Sequence, residues 1–197
     1  MTIQKTKNEV LRLKVLWQYD VLDTVPEAVF DELTSLAALI CDAPIALISL
    51  IDEDRQWFKA KVGVTLKETS RDISFCAHAI RQPDLMVVPD ATKDARFKSN
   101  PLVTSKPKIR FYAGAPLLTP DGHALGTLCI IDVKPRQLTD AQKKALTLLA
   151  RHVMTQLEIR RHASELTQQR EKSDDAKSEL VEARAEISRL KKQLARK

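Results

Sequence analysis

The chain has 197 residues, 44% of them hydrophobic, with a net charge of +6 and an isoelectric point near 9.3, enough apolar material for one core with a polar C-terminal stretch left outside it. The basic balance does not argue for nucleic acid: from Arg160 onward eleven Lys and Arg face seven Asp and Glu, so 11 − 7 = +4 of the excess lies in the tail, without interleaved aromatics to stack on bases. Cys41, Cys76 and Cys129 are odd in number and form no CxxC pair, which suggests neither a disulfide framework nor a structural zinc site and suits a reducing cytoplasm, and the longest apolar run, around Ile45 to Ile51, falls short of the roughly 20 residues of a membrane span.

From the N-terminus, Val10, Leu11, Leu13, Val15, Leu16 and Tyr19 recur among charged residues, which predicts an amphipathic helix over Asn8 to Tyr19. A second helix is expected to begin near Pro26, with Phe30, Leu33, Leu36, Ala37 and Ile40 at helical spacing against a sheet. Pro44 ends it and opens IALISLID, a β-branched run that predicts a central buried strand closing at Asp52, Glu53 and Asp54. RQWFKAKVG is its hairpin partner, with Trp57 and Phe58 on opposite faces.

Ser74 is placed to cap a short helix, FCAHAIR, ending before Pro83, and LMVVPD predicts another strand halted by Pro89. Asp90 to Lys108 reads as a long excursion holding one helical turn, the kind of segment that tends to carry function. Ile109 to Asp132 then reads as two strands joined at Pro120, Asp121 and Gly122. Before the turn, Ile109, Phe111, Ala113 and Ala115 alternate with Arg110, Tyr112 and Gly114; after it, Leu125, Thr127, Cys129 and Ile131 alternate with Gly126, Leu128 and Ile130. Gly114 and Gly126 inside these strands allow close approach, so the hairpin is a candidate pocket floor.

Thr139 to Gln142 matches a capping box and starts a helix whose Leu146, Leu149, Ala150, Val153 and Leu157 share a face. Neither Gly nor Pro follows Pro135, so this helix is expected to run on toward the C-terminus. Ala176, Leu180, Ala183, Ile187, Leu190 and Leu194 recur at three- and four-residue steps, the seam of a coiled coil, and predict a parallel homodimer.

The blocks LDTVPEAVFDEL, PIALISLIDEDRQWFKA, SFCAHAI, VVPDATKDARFKSNPLV, IRFYAGAPLLTPDGHALGTLCIID and PRQLTDAQ, in that order, resemble a GAF domain of the bacterial signalling type, found at the N-terminus of sensor histidine kinases and diguanylate cyclases. The resemblance implies an α+β (α/β) fold: a sheet of about six antiparallel strands with the N- and C-terminal helices on one face. The excursion and short helix would cover the other face and enclose a small-molecule pocket. The domains are then 1–23, an N-terminal helix and linker; 24–160, the GAF domain; and 161–197, a coiled coil continuous with its last helix.

Candidate pocket residues are Phe58, Cys76, His78, Asp94, Arg96, Phe97, Asn100, Arg110, Tyr112 and Cys129, with Asp90 beside them. Cys76 and His78 are two apart, a poor helical spacing for shared ligation, and a buried thiol with a satisfied histidine is the favoured reading over a redox-sensing thiol, haem ligation by His78 or bilin attachment at Cys76. Asp94 and Arg96 suit loop fixing as well as ligand contact. No catalytic and no metal site is expected. The resemblance implies a non-catalytic sensory module of a two-component or related system, binding an unknown small molecule or sensing redox state. It would relay the signal through a dimeric helical stalk to a histidine kinase or diguanylate cyclase output outside the chain. The alternatives are a small thiol-dependent enzyme of the free methionine-sulfoxide reductase type, acting through Cys76 and Cys129, and a coiled-coil scaffold with an empty pocket. Nucleic-acid binding and membrane insertion are not expected.

Overall fold

A computed structural model describes residues 7–194. The elements are α1 (Lys7–Gln18), α2 (Ala28–Cys41), β1 (Ile45–Ile51), β2 (Arg55–Val62), β3 (Glu68–Ser70), a 3-10 turn (Arg71–Ile73), α3 (Cys76–Ala79), β4 (Met86–Val88), α4 (Pro101–Thr104), β5 (Phe111–Leu118), β6 (Ala124–Asp132) and α5 (Asp140–Leu194). The strands form one antiparallel sheet in the order β3-β2-β1-β6-β5-β4. Hairpin turns join β1 to β2 and β5 to β6. The second turn closes as Gly122 takes φ +82 and Thr119 N–H reaches His123 O at 2.9 Å. The predicted capping box forms at the start of α5, where Gln142 N–H donates to Thr139 Oγ1 at 3.2 Å and Thr139 N–H to Gln142 Oε1 at 3.1 Å.

The chain divides into two compact units, Met1–Glu158 and Ile159–Lys197. In the first, every residue of β1 and β6 is buried, so the sheet has a core on each face. One core joins Ala46, Ile48, Leu50, Trp57, Phe111 and Ala113 to Leu16 of α1, Phe30 of α2 and Leu146 of α5. The other joins Leu47, Phe58, Cys129 and Tyr112 to Phe75, Cys76 and Phe97 of the covering segments. Trp57 and Phe58 thus face opposite sides, as period-2 spacing requires.

Two bulges alter the simple alternation. The β1–β2 register slips between Ile48 and Ser49, leaving Lys59 unpaired, and its ammonium turns toward α2 to meet Thr24 Oγ1, Val25 O and Glu27, 5.3 Å from the Phe30 ring centre. The β5–β6 slip at Leu117/Leu118 puts Leu125 with Leu128 and Ile130 on the helical face, where alternation alone puts it with Cys129. The helices differ from the periodic expectation too. In α1, Arg12 is buried and its guanidinium donates to Ile51 O at 2.7 Å and Ala124 O at 3.3 Å, tying the helix to β1 and β6, while Val10 and Leu11 are exposed. In α2, Phe30, Thr34, Ala37, Ala38 and Cys41 are buried and Leu36 and Ile40 face outward. In the second unit the side chains of Ala176, Leu180 and Ala183 are exposed; those of Ile187, Leu190 and Leu194 lie outside the described residues.

A methyl group added to Gly126 would lie 1.8 Å from Ser49 O at the sheet centre, whereas one added to Gly122 meets nothing. Gly126→Ala is therefore expected to cost about 3 kcal/mol in denaturant unfolding, against about 1 kcal/mol for Gly122→Ala from its positive φ alone; equal losses would contradict this packing.

Candidate functional site

The covered face of the sheet centres on a polar cluster. Ser49 of β1 pairs across the ladder with Thr127 of β6, and their hydroxyls are 3.1 Å apart. Two residues along β6, Cys129 lies opposite Gly114 of β5. Gly114 has no side chain, and the Tyr112 ring occupies that place: a Cβ there would fall 2.1 Å from the Tyr112 hydroxyl. The hydroxyl consequently reaches the Cys76 sulfur, donating to it at 3.3 Å, and Cys76 Sγ lies 3.7 Å from Cys129 Sγ. Ser74 holds Cys76 in place, accepting from Ala77 N–H at 3.0 Å and donating to Gln56 Oε1. Phe75 stacks on Phe97 with ring centres 4.0 Å apart and closes the cover.

All three cysteines are free thiols. Burial raises the Cys76 pKa, but hydrogen bonding from Cys129, Ser49, Thr127 and Tyr112 outweighs it and brings the group down from 9.0 to about 6. The hydrogen bond that Cys129 gives Cys76, then burial and the neighbouring charge, hold Cys129 well above its ordinary value. Burial and the sulfur charge also keep Tyr112 protonated, hence a donor. The cluster sets a sulfur of lowered pKa beside a second thiol and a phenol, an arrangement suited to nucleophilic or redox chemistry at sulfur.

Among the predicted site residues, Cys76, Cys129, Tyr112, Phe97 and Phe58 share this buried face. His78 lies at its margin, edge-on to Phe97 at 4.9 Å, with its pKa lowered by burial and by Arg81 and Arg96. The polar candidates of the excursion bond to its backbone and to one another. Arg96 pairs with Asp94 at 2.7 Å and lies over Phe97, while Asp90 accepts from Thr92 and pairs with Lys93. Asn100 caps α4 through Leu102 N–H and donates to Ile73 O, and Arg110 donates to Val103 O and Ile109 O. Cys76 is 1% exposed and in contact with Cys129, so it offers no open thiol for a bilin, and no group of three or more His, Cys, Asp or Glu among the described residues could hold a metal ion. The aromatic and sulfur side chains of this face are buried, and a smaller cleft is lined by Asp90, Lys93, Asp94 and Arg136. A groove of about 1120 Å³ lies elsewhere, lined by Leu85, Val87, Pro116, Leu138, Arg151 and Met154 between the β4–β5 end of the sheet and α5. Ser49 and Gln56 are cluster members that periodicity passed over; for Ser49 a small hydroxyl inside an otherwise apolar strand run was the available signal.

A family model described as GAF domain matches residues 25–157. A cyclic di-GMP phosphodiesterase of Pseudomonas aeruginosa is 45% identical over 141 residues, 71% of this chain and 24% of its own length. The chain therefore spans about a quarter of that relative. Among solved structures, the GAF domain of a phosphoenolpyruvate-protein phosphotransferase from Coxiella burnetii superposes with a TM-score of 0.59 at 15% identity, covering 81% of this chain and 99% of that one. A free methionine-R-sulfoxide reductase from Neisseria meningitidis, solved in complex with its substrate, gives 0.57 at 17% identity over 83% and 98%. At such identities these two establish the fold. The phosphodiesterase corrects the expectation of a chain that is not an enzyme, with only kinase or cyclase activity lying outside it: the relative bears the name of a hydrolase of cyclic di-GMP.

The thiolate has a pH signature. Its folded pKa of about 6 is below the ordinary 9.0, so its contribution to stability is complete above 9.0 and is lost as pH falls through about 6. Cys129 acts oppositely, its raised pKa costing stability above 9.0. From these two groups, unfolding free energy is expected to rise from about pH 6 to 9.0 and to turn down above 9.0. Ultraviolet thiolate absorbance should show one titration near 6, moved upward in Tyr112→Phe; two thiols titrating together near 9.0 would contradict the cluster.

Proposed function

The chain belongs to the GAF domain family, and from that premise we propose that it is the regulatory region of a cyclic di-GMP signalling protein, receiving an input at the Cys76 face and governing phosphodiesterase activity. The observation carrying this reading is the 45% identity with the Pseudomonas aeruginosa phosphodiesterase over 141 residues, 71% of the chain. A route out of the site is available within the first unit. Cys76 follows the 3-10 turn, whose Arg71 donates to Asp52 O and to Glu9 of α1 at 2.8 Å. Burial raises the Glu9 pKa, but Arg12 and Arg71 outweigh it and hold the carboxyl ionised. A shift of α3 would in this way move α1.

The output step needs a second copy, and the proposed homodimer forms through the N- and C-terminal helices with a parallel coiled coil. Exposed Val10 and Leu11 of α1 and Leu36, Leu39 and Ile40 of α2 support it, as does the exposed Ala176, Leu180 and Ala183 series. No helix among the described residues is long and apolar enough to cross a membrane, and the proposed place of action is the cytoplasm.

Two outcomes test this. Replacing the matched region of the Pseudomonas aeruginosa enzyme by residues 25–157 of this chain should preserve cyclic di-GMP hydrolysis, and Tyr112→Phe in the chimera should change the rate about fivefold or more, the lower end of ordinary coupling; an unchanged rate in a folded chimera would overturn the regulatory reading. Truncation after Arg161 should shift the chain toward monomer in light scattering, and an undiminished dimer would remove the coiled coil from the account.

A further inference from the structure

The two sulfurs beneath the cover are in direct contact. Cys76 and Cys129 are 53 positions apart, yet their Sγ atoms are 3.7 Å apart, and a disulfide would need them to close by only about 1.7 Å. Cys41, the third thiol, belongs to the core on the opposite face of the sheet, so the pairing is unambiguous. The two cysteines also sit on elements of unequal rigidity. Cys129 is in β6, paired on both sides at the sheet centre, whereas Cys76 opens the four-residue α3 within a covering segment.

We propose that Cys76 and Cys129 form an oxidisable dithiol, converted by hydrogen peroxide into an intramolecular disulfide that draws α3 down onto β6. The inference rests on the regulatory reading and names its input. In the first step the Cys76 thiolate attacks one peroxide oxygen, the O–O bond breaks, and hydroxide leaves to give a sulfenic acid. In the second, the Cys129 sulfur attacks Cys76 Sγ, the S–S bond forms and the S–O bond breaks. The Cys129 proton accompanies the departing hydroxide as water. One thiolate and one thiol lose two electrons, and one peroxide becomes one hydroxide and one water, the hydroxide taking up from solvent the proton that Cys76 had released. Tyr112 is the positioning residue, its hydroxyl 3.3 Å from the attacked sulfur and able to hydrogen-bond a departing hydroxide. Enclosure selects for a small uncharged oxidant, since both thiols are at most 1% exposed.

Closure has a definite mechanical consequence. Phe75, next to Cys76, is stacked on Phe97, and Ile73 O is held by Asn100 Nδ2 at 3.0 Å. Movement of α3 toward β6 pulls against both and against Arg71, which is bonded to Glu9 of α1. Reduction by a small thiol reverses it.

The test uses the complete reduced chain. After brief exposure to hydrogen peroxide, remaining thiols are alkylated in denaturant and the unreduced digest is mapped by mass spectrometry. The peptides carrying Cys76 and Cys129 should appear joined, with Cys41 alkylated. Cys41→Ser should behave identically, and Cys129→Ser should stop at a Cys76 sulfenic acid trapped by dimedone. Should Cys129→Ser fail to fold, mapping of the unmodified chain decides. Cys76 and Cys129 both alkylated at a peroxide dose that already oxidises Cys41, or Cys41 joined to either, would overturn the dithiol. A disulfide that forms while the chimera ignores peroxide would overturn the regulatory reading and leave the dithiol standing; a chimera that responds to Tyr112→Phe without any disulfide would do the reverse.

Discussion

Pairing of β1 with β6 buries both faces of both strands, and the position of every other element follows from that double burial. A strand enclosed on two sides needs a layer on each: α1, α2 and the first part of α5 supply one, and the segments between β2 and β5 supply the other. Side-chain parity then decides which chemistry each layer meets. Ala46, Ile48 and Leu50 serve the helical layer, while Leu47, Ser49 and Ile51 look toward the cover. Ser49 and Thr127 meet on the covered side because antiparallel register makes them direct partners.

Enclosing sulfur and hydroxyl groups in an apolar layer is unfavourable unless each finds a partner, and the cluster solves this internally. The Cys76 sulfur accepts from the Tyr112 phenol and is within reach of the Cys129 thiol, and the two hydroxyls bond each other. Gly114 is the geometric condition for the whole set, since any side chain there would displace the Tyr112 ring from its seat. The result is a reactive group kept from solvent by Phe75 and Phe97, with a four-residue helix as its door.

The helical layer is tied to the sheet by charged groups as much as by apolar packing. Arg12 spends its fork on carbonyls of Ile51 and Ala124, and Lys59 matches its three donors to Thr24, Val25 and Glu27. Such anchors have directional geometry that apolar contacts lack, so they transmit displacement. Arg71 extends the same system to the cover through Glu9, connecting the sulfur cluster to the helix that opens the chain.

Periodicity and turn chemistry were enough to read the elements other than β3 and the 3-10 turn after it: the apolar β1 run, the Pro120 to Gly122 turn and the Thr139 to Gln142 box are local signals, and local physics formed them. The family blocks likewise identified the fold, and among the site candidates the sequence singled out Cys76, Tyr112 and Cys129. It could not show them touching, because their contact depends on strand register across 53 residues and on an absent side chain at Gly114. It also could not separate them from Asp94, Arg96, Asn100 and Arg110, which are equally polar but are consumed by backbone fixing in the excursion. Leu125 and Lys59 escaped because a bulge changes which face a residue joins without leaving a mark in the alternation. What the sequence determined by itself was the elements and their family, since those rest on near-neighbour forces. Which side chains meet at the sulfur cluster was decided only by tertiary structure, because facing depends on register, bulges and the space a neighbour leaves.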